Sequence, residues 1–316
     1  MKKLMLGAML VVVSACGVDQ GADFRKGIPK SGDVALKLPG QVSQPLTSTG
    51  TRRDGIEGAQ SEFYKLTRDV TVFVNSGTAA TLLLVEDIVQ YPATTTTADS
   101  AIWGPHTEPL SPNTWKLTVV RTAPETYSYT LEGKGKTEAD AAYRVVLSGN
   151  HVNLGQNLGT GSFLIDWDKD RQLPENANNF GTVTVTYART SATATTQIDA
   201  AFVQVRHGTT EPLADAQYRY AATPGQGGAF EFQLAKDFVD TTPALENGKI
   251  KSRWLESGAG RADTQVSGGD LASPVTINEC WDSGFLSRFQ QTSYTPAQNY
   301  GAASICAFAT PEYASL

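Results

Sequence analysis

Beyond residue 113 the chain keeps changing sides. Trp115, Leu117 and Val119 alternate with Lys116, Thr118 and Val120, and Tyr127, Tyr129 and Leu131 alternate with Ser128, Thr130 and Glu132. A period of two sends the two sets to opposite faces of a strand. Further strands are expected over residues 142–147, 162–168, 182–189, 195–207, 217–221, 229–234, 249–256, 260–267 and 275–279. Turns rich in Gly and Pro separate them, among them Pro224-Gly225-Gln226-Gly227-Gly228. No helical pattern of 10–15 residues lies between them, which excludes a parallel sheet built by helical crossovers. The reading is an antiparallel meander of 9–11 strands.

One stretch before the meander has a different period. Val70, Phe73, Val74, Gly77, Thr81, Leu84, Val85 and Ile88 recur at steps of three and four, which predicts a helix over residues 67–91. Asn75, Ser76, Glu86, Asp87 and Gln90 fall mostly off that stripe. A shorter helix is expected over residues 56–65, with Ser61 or Thr67 as a cap. Tyr91-Pro92 ends the helical part, because the residue before proline is pushed out of the helical region. Residues 92–113 read as a connection, with Trp103 either anchoring one end of the core or lining a site. An open sheet this wide has to twist and curl or split. The expected fold is mainly β with a helical N-terminal part: a large curved antiparallel sheet of 9–11 strands packed on a long helix. A closed barrel or sandwich with the helix against one end is the alternative.

Polar residues interrupt the strands on one side, as in Thr182, Thr184 and Thr186, so the outer face is expected to be wet. The segments are too irregular for a transmembrane barrel and lack matched aromatic girdles. With 18% charged residues and a formal net charge of -6, neither a nucleic-acid surface nor a polybasic membrane patch is expected.

The N-terminus carries its own grammar. Lys2 and Lys3 precede a short apolar run, and Val13-Ser14-Ala15-Cys16-Gly17 follows. The run is too short to span a membrane comfortably. Val13-Ser14-Ala15-Cys16 resembles the lipobox of bacterial lipoproteins, with Val13 in place of the usual Leu. The resemblance covers residues 1–17. It implies cleavage before Cys16, a lipid such as palmitate on that cysteine, and attachment to the membrane through acyl chains. Gly17 is not the aspartate of an inner-membrane retention signal, so the resemblance points to the outer membrane, with the body in the periplasm or at the cell surface. Cleavage removes two lysines and no acidic residue, so the body stays acidic. The domains follow: signal peptide 1–15, lipidated Cys16 and flexible tether 16–50, and one β-rich domain over 51–316. Gly, Pro, Ser and Thr are frequent in the tether and long apolar periodicity is absent. A loop wrapped on the domain is the other reading of residues 30–50.

Cys280 and Cys306 are the cysteines left after Cys16. Export to an oxidising compartment favours a disulfide between them, which would staple an aromatic C-terminal segment to the last strands. Residues 282–289 are expected to hold a helical turn or two and the rest to be loop.

Chemical signals are sparse. His106, His151 and His207 form no metal-ligand spacing with a cysteine, and no Gly-x-Ser-x-Gly elbow, phosphate loop or His-Glu-x-x-His helix is present. Asp166, Asp168 and Asp170 match the start of a calcium loop. Arg171 stands where that loop needs glycine, and Ala177 where it needs glutamate, so a solvated strand end is the simpler reading. Gly-rich turns flank residues 260–267, and Arg261 and Asp263 share a strand face there, placed to pair. No cofactor and no enzymatic activity are expected. Two functions remain: a non-catalytic, lipid-anchored envelope protein with a structural or protein-binding role, or a carrier of an apolar ligand, such as a lipid, between helix and sheet.

Overall fold

The structure is a computed structural model and describes residues 21–40, 57–176, 178, 180–205, 212–238, 242 and 244–316. Cys16 and His207 lie outside the described residues. One helix, α1 (Glu62–Val89), precedes all the strands. The first seven strands are β1 (Thr95–Thr96), β2 (Ser100–His106), β3 (Asn113–Ala123), β4 (Thr126–Gly135), β5 (Arg144–Gly155), β6 (Leu158–Asp166) and β7 (Thr182–Arg189). The rest are β8 (Thr196–Val205), β9 (Ala214–Thr223), β10 (Gly227–Lys236), β11 (Glu246–Leu255), β12 (Gly260–Gly268), β13 (Val275–Trp281) and β14 (Ser287–Thr292). A one-turn helix, α2 (Trp167–Asp170), follows β6.

All fourteen strands belong to one sheet, antiparallel and in sequence order from β1 to β14. This corrects the expected fold. Instead of a curved sheet of nine to eleven strands, the chain builds a fourteen-stranded ladder that does not curl back on itself: among the described residues no pair joins β14 to β1. The three unexpected strands lie at the two edges. β1 and β2 occupy the supposed connection, where Ala101 and Trp103 point into the core on either side of Ile102. β14 replaces the expected helical turns, with Ser287 and Phe289 buried two residues apart.

The helix is also displaced from its expected bounds. It is one element of 28 residues, about 42 Å at 1.5 Å per residue. The Ser61 hydroxyl caps it by accepting from the Tyr64 amide at 3.1 Å. Glu279 of β13 completes the cap, accepting from the Ser61 hydroxyl at 2.9 Å and the Phe63 amide at 2.8 Å. Burial holds the Glu279 carboxyl above its ordinary range, against the donors around it. The helix crosses the strands. Thr67 meets Ser252 of β11 at 2.6 Å, and beyond the other end Trp103 of β2 donates to the Tyr91 carbonyl at 2.9 Å. Val74, Leu82, Val85 and Val89 are its buried apolar residues, with Val70, Leu84 and Ile88 as half-buried shoulders. The side chains of Phe73, Gly77 and Thr81 lie outside the described residues.

Of the two readings of residues 30–50, the described part follows the loop wrapped on the domain, and residues 21–29, expected in the tether, join it. Phe24, Ile28, Val34, Leu36 and Leu38 all sit in the main core. Residues 21–39 form a strap between helix and sheet. Asn75 of α1 clamps the strap as a neighbouring strand would: its Oδ1 accepts from the Leu36 amide at 2.8 Å, and its Nδ2 donates to the Leu36 carbonyl at 2.9 Å. The Tyr220 hydroxyl brackets Lys37, accepting from its amide at 3.2 Å and donating to its carbonyl at 2.8 Å. Arg25 donates to the Val89 and Tyr91 carbonyls and so caps the C-terminal end of α1. Five buried apolar side chains, scattered among Gly, Pro and polar residues, offset the ordering entropy of this stretch.

Between strap and sheet lies a buried polar pair. The His151 ring nitrogen Nδ1 is 2.7 Å from the Tyr187 hydroxyl. Gly161 makes room for it: a Cβ there would stand 2.6 Å from that hydroxyl. Burial holds the imidazole below its ordinary 6.5, while the Asp33 carboxylate pulls it up. The unfolded chain therefore binds the proton first as pH falls, and stability declines below the unfolded value. We expect the urea midpoint to drop between about pH 7 and pH 5, with this residue contributing at most ~1.4 kcal/mol per pH unit. His151→Gln should flatten that drop. An equal drop in the variant would assign it to other groups.

Candidate functional site

The sheet has an inner face, covered by α1 and the strap, and an outer face that is polar across its width. Register builds the outer face from one cross-strand row. Ser128, Asn150, Ser162 and Thr186 are successive neighbours on β4 to β7. The same row continues as Asp199, Arg219, Glu231, Lys251 and Asp263 on β8 to β12. The second half alternates in charge at every step, so each interior member has an opposite charge on both sides. Arg219 Nε is 3.0 Å from Asp199, and Lys251 Nζ is 3.1 Å from Glu231.

The end of the chain lies along this charged half. Cys280 of β13 and Cys306 form a disulfide, which closes a 26-residue separation and delivers residues 307–316 to the outer face. On the loop-entropy account such a closure contributes about 3.5 kcal/mol. Arg261 Nη1 donates to the Phe308 and Ala309 carbonyls at 3.1 and 2.9 Å, and Arg253 Nη2 donates to the Thr310 carbonyl at 2.7 Å. Asp263 accepts from the Glu312 amide at 2.9 Å, and Glu231 accepts from the Ser315 amide at 2.9 Å. The ladder therefore reads the backbone of an extended segment, with cations on its carbonyls and carboxylates on its amides. Burial pushes the Glu231 carboxyl up, but the Ser315 amide and Lys251 outweigh it and hold it below its ordinary range.

Asp263 is the hub. It is fully buried, with Oδ1 2.7 Å from Arg261 Nε and Oδ2 3.0 Å from Arg253 Nη2. The pairing of Arg261 with Asp263 expected from their shared face is present. The partners on other strands and in the tail carried no sequence signal except the recurrence of charge at every second position of β11, in Lys249, Lys251 and Arg253, and of β12, in Arg261 and Asp263.

The other sequence candidates are not brought together. Asp166 caps α2 by accepting from the Lys169 amide at 2.9 Å and pairs with Lys169 at 3.1 Å. Asp168 pairs with Arg171 at 3.1 Å, and Asp170 accepts from Asn176 at 2.9 Å. Each carboxylate thus has its own donor. Among the described residues no group of three or more His, Cys, Asp or Glu is placed to hold a metal ion. His106 stacks on Tyr91, and Trp103 is a core side chain.

The clefts of the described surface include two beside the strap. The larger, about 530 Å³, lies beside the β3–β4 turn, and four of its charged groups have partners: Asp23 with Lys26, Arg121 over the Phe24 and Tyr127 rings, and Glu125 with Asn153. The second, about 320 Å³, lies between the strap and the ends of β7 to β11, with Arg189, Tyr220, Trp254 and Asp33 in its wall. Sequence reasoning missed it because residues 30–50 were left open between a tether and a loop wrapped on the domain, and neither reading says which strands lie beneath them.

Compared with protein-family models, curated proteins and solved structures, the chain matches none. Among the described residues no helix is long and apolar enough to cross a membrane.

Proposed function

We propose that the protein is a lipid-anchored, non-catalytic component of the bacterial envelope, held through Cys16 at the outer membrane, with a structural or protein-binding role. The anchor rests on the order of elements in residues 1–17. The role rests on one observation: the inner face of the sheet is filled. Leu82 and Val85 of α1, Leu36 of the strap, and Leu117, Leu131, Leu147 and Ile198 of the sheet are all essentially without solvent exposure. A carrier turns such side chains toward its cargo, whereas here they contact one another in a single cluster. The described clefts are open and partly polar, unlike a lipid cavity. The polar outer face over β4 to β7, beyond the tail, is then the sheet surface left for a partner.

Labelling cells with radioactive fatty acid tests the anchor. Wild type should incorporate label and sediment with membranes; Cys16→Ser should do neither. Equal label in both overturns it. Solvent extraction of the purified protein tests the role. The reading predicts no lipid beyond the covalent acyl chains, and one freely extracted lipid per chain would restore the carrier.

A further inference from the structure

The sheet already holds one polypeptide segment crosswise on its outer face. Cys306 is tied to Cys280 of β13, the Ala309 carbonyl sits on Arg261 of β12, the Thr310 carbonyl on Arg253 of β11, and the Ser315 amide on Glu231 of β10. The tail thus steps from strand to strand, and side chains of the sheet read its backbone. Its last contact along the charged row is with Arg219 of β9, whose Nη1 is 3.4 Å from the Ser315 hydroxyl. The row itself runs on through Asp199, Thr186, Ser162, Asn150 and Ser128.

Asp199 is the first position beyond the tail. Asp263 and Glu231 each pair with a cation and also accept a tail amide. Asp199 has the cation, Arg219, and among the described residues no amide; both side chains are about half exposed. The next three positions, Thr186, Ser162 and Asn150, are short and neutral, and each can donate and accept. Two large apolar side chains are exposed beside them: Val120, which continues the row on β3, and Leu164, two residues from Ser162 on the same face. The neighbouring row, Thr130, Ser148, Leu164 and Thr184, holds no aromatic ring on which a sugar could stack, which favours a polypeptide over a polysaccharide.

Building on the protein-binding role proposed above, we infer that the row from Arg219 to Ser128 docks an extended segment of a partner protein, read crosswise through its backbone as the tail is. Asp199 takes an amide of that segment, Arg219 a carbonyl, and Leu164 and Val120 its apolar side chains. Five strand spacings of about 4.8 Å separate β9 from β4, a span that about seven extended residues cross. Backbone reading tolerates many side chains and does not tolerate the loss of amide donors.

A display library of random ten-residue peptides, panned on the oxidised full-length protein, supplies the probe. At least one enriched peptide, remade synthetically, should bind in isothermal titration. Methylating its backbone amides at alternate positions keeps every side chain and removes donors, so binding should weaken about tenfold or more, as for the loss of one charge-assisted hydrogen bond. Ser162→Arg and Thr186→Arg, both on the outer face, should weaken the unmodified peptide as much while keeping the wild-type circular dichroism. The methylated peptide is read on the unmodified protein, so that result does not depend on a variant folding. No enriched peptide, equal binding of the methylated form, or binding indifferent to both arginine variants overturns the assignment. Retention on a polysaccharide column that Ser162→Arg abolishes, with no peptide enriched, overturns it in favour of a carbohydrate. Peptides that bind elsewhere on the protein remove this docking row and leave the protein-binding role standing, whereas a freely extracted lipid counts against the role itself.

Discussion

Replacing Asp263 by alanine is expected to cost roughly 3–5 kcal/mol. The carboxylate is fully buried, and both its oxygens are occupied by guanidinium groups. Its loss strands Arg261, 1% exposed, as a buried cation and leaves Arg253, 8% exposed, with Glu312 as its remaining counter-ion. It also removes the acceptor of the Glu312 amide, and with it one of the bonds that hold the tail to the outer face. A domain's whole net stability is about 5–15 kcal/mol, so the loss is a large part of it. Urea unfolding should show the midpoint falling steeply, and limited proteolysis should cut within residues 307–316 before the sheet. The double change Arg261→Met with Asp263→Leu should cost less than Asp263→Ala, since it removes a charge of each sign together. A loss below about 1 kcal/mol for Asp263→Ala would mean that water reaches the ladder.

Val85→Asp is expected to abolish cooperative folding. Val85 has no exposed surface and belongs to the cluster that joins α1, strap and sheet. A carboxylate there has no partner within the core, and burying it costs several kcal/mol, comparable to the whole net stability. Leu83 lies two residues away, 49% exposed on the other side of the helix, so Leu83→Asp should shift stability by no more than about 0.5 kcal/mol. The contrast fixes which face of α1 is buried, because the two substitutions introduce the same charge on the same element. Equal urea midpoints for the two variants would take α1 out of the core.

The antiparallel meander was legible because its central strands alternate on a scale no helix imitates. Tyr127, Tyr129 and Leu131 are read directly from the chain and are all buried. The edges were less legible. β2 carries Gly104-Pro105, which reads as loop, and β14 holds Ser287 and Thr292 as buried polar positions. The buried face of α1 was read one position off for a similar reason. Tyr64, Thr67, Thr71 and Val74, and then Leu82, Val85 and Val89, follow steps of three and four, two turns apart, but the early members are hydroxyl-bearing. Thr67 and Thr71 satisfy their hydroxyls on the Phe63 and Thr67 carbonyls, so they bury without appearing apolar. Asn75 falls off the apolar stripe, and its amide holds the strap.

The strap itself carried a signal that composition hid. Val34, Leu36 and Leu38 alternate, as one side of a strand does. Three such residues are a short run, and the Gly and Pro around them argued for a spacer. The disulfide was legible from compartment and count. The ladder beneath the tail was not, since its members are distant in sequence and become neighbours only through register.

One end of the described chain lies on each face of the sheet, residues 21–39 inside and residues 307–316 outside. Amide hydrogen exchange of the oxidised, full-length protein tests this most directly. Leu36 and Lys37 donate their amides to Asn75 and Tyr220, and Glu312 and Ser315 donate theirs to Asp263 and Glu231. The predicted result is protection of peptides covering both segments on the scale of the central strands. Complete exchange of residues 31–39 within seconds, while β4 to β10 stay protected, would contradict it.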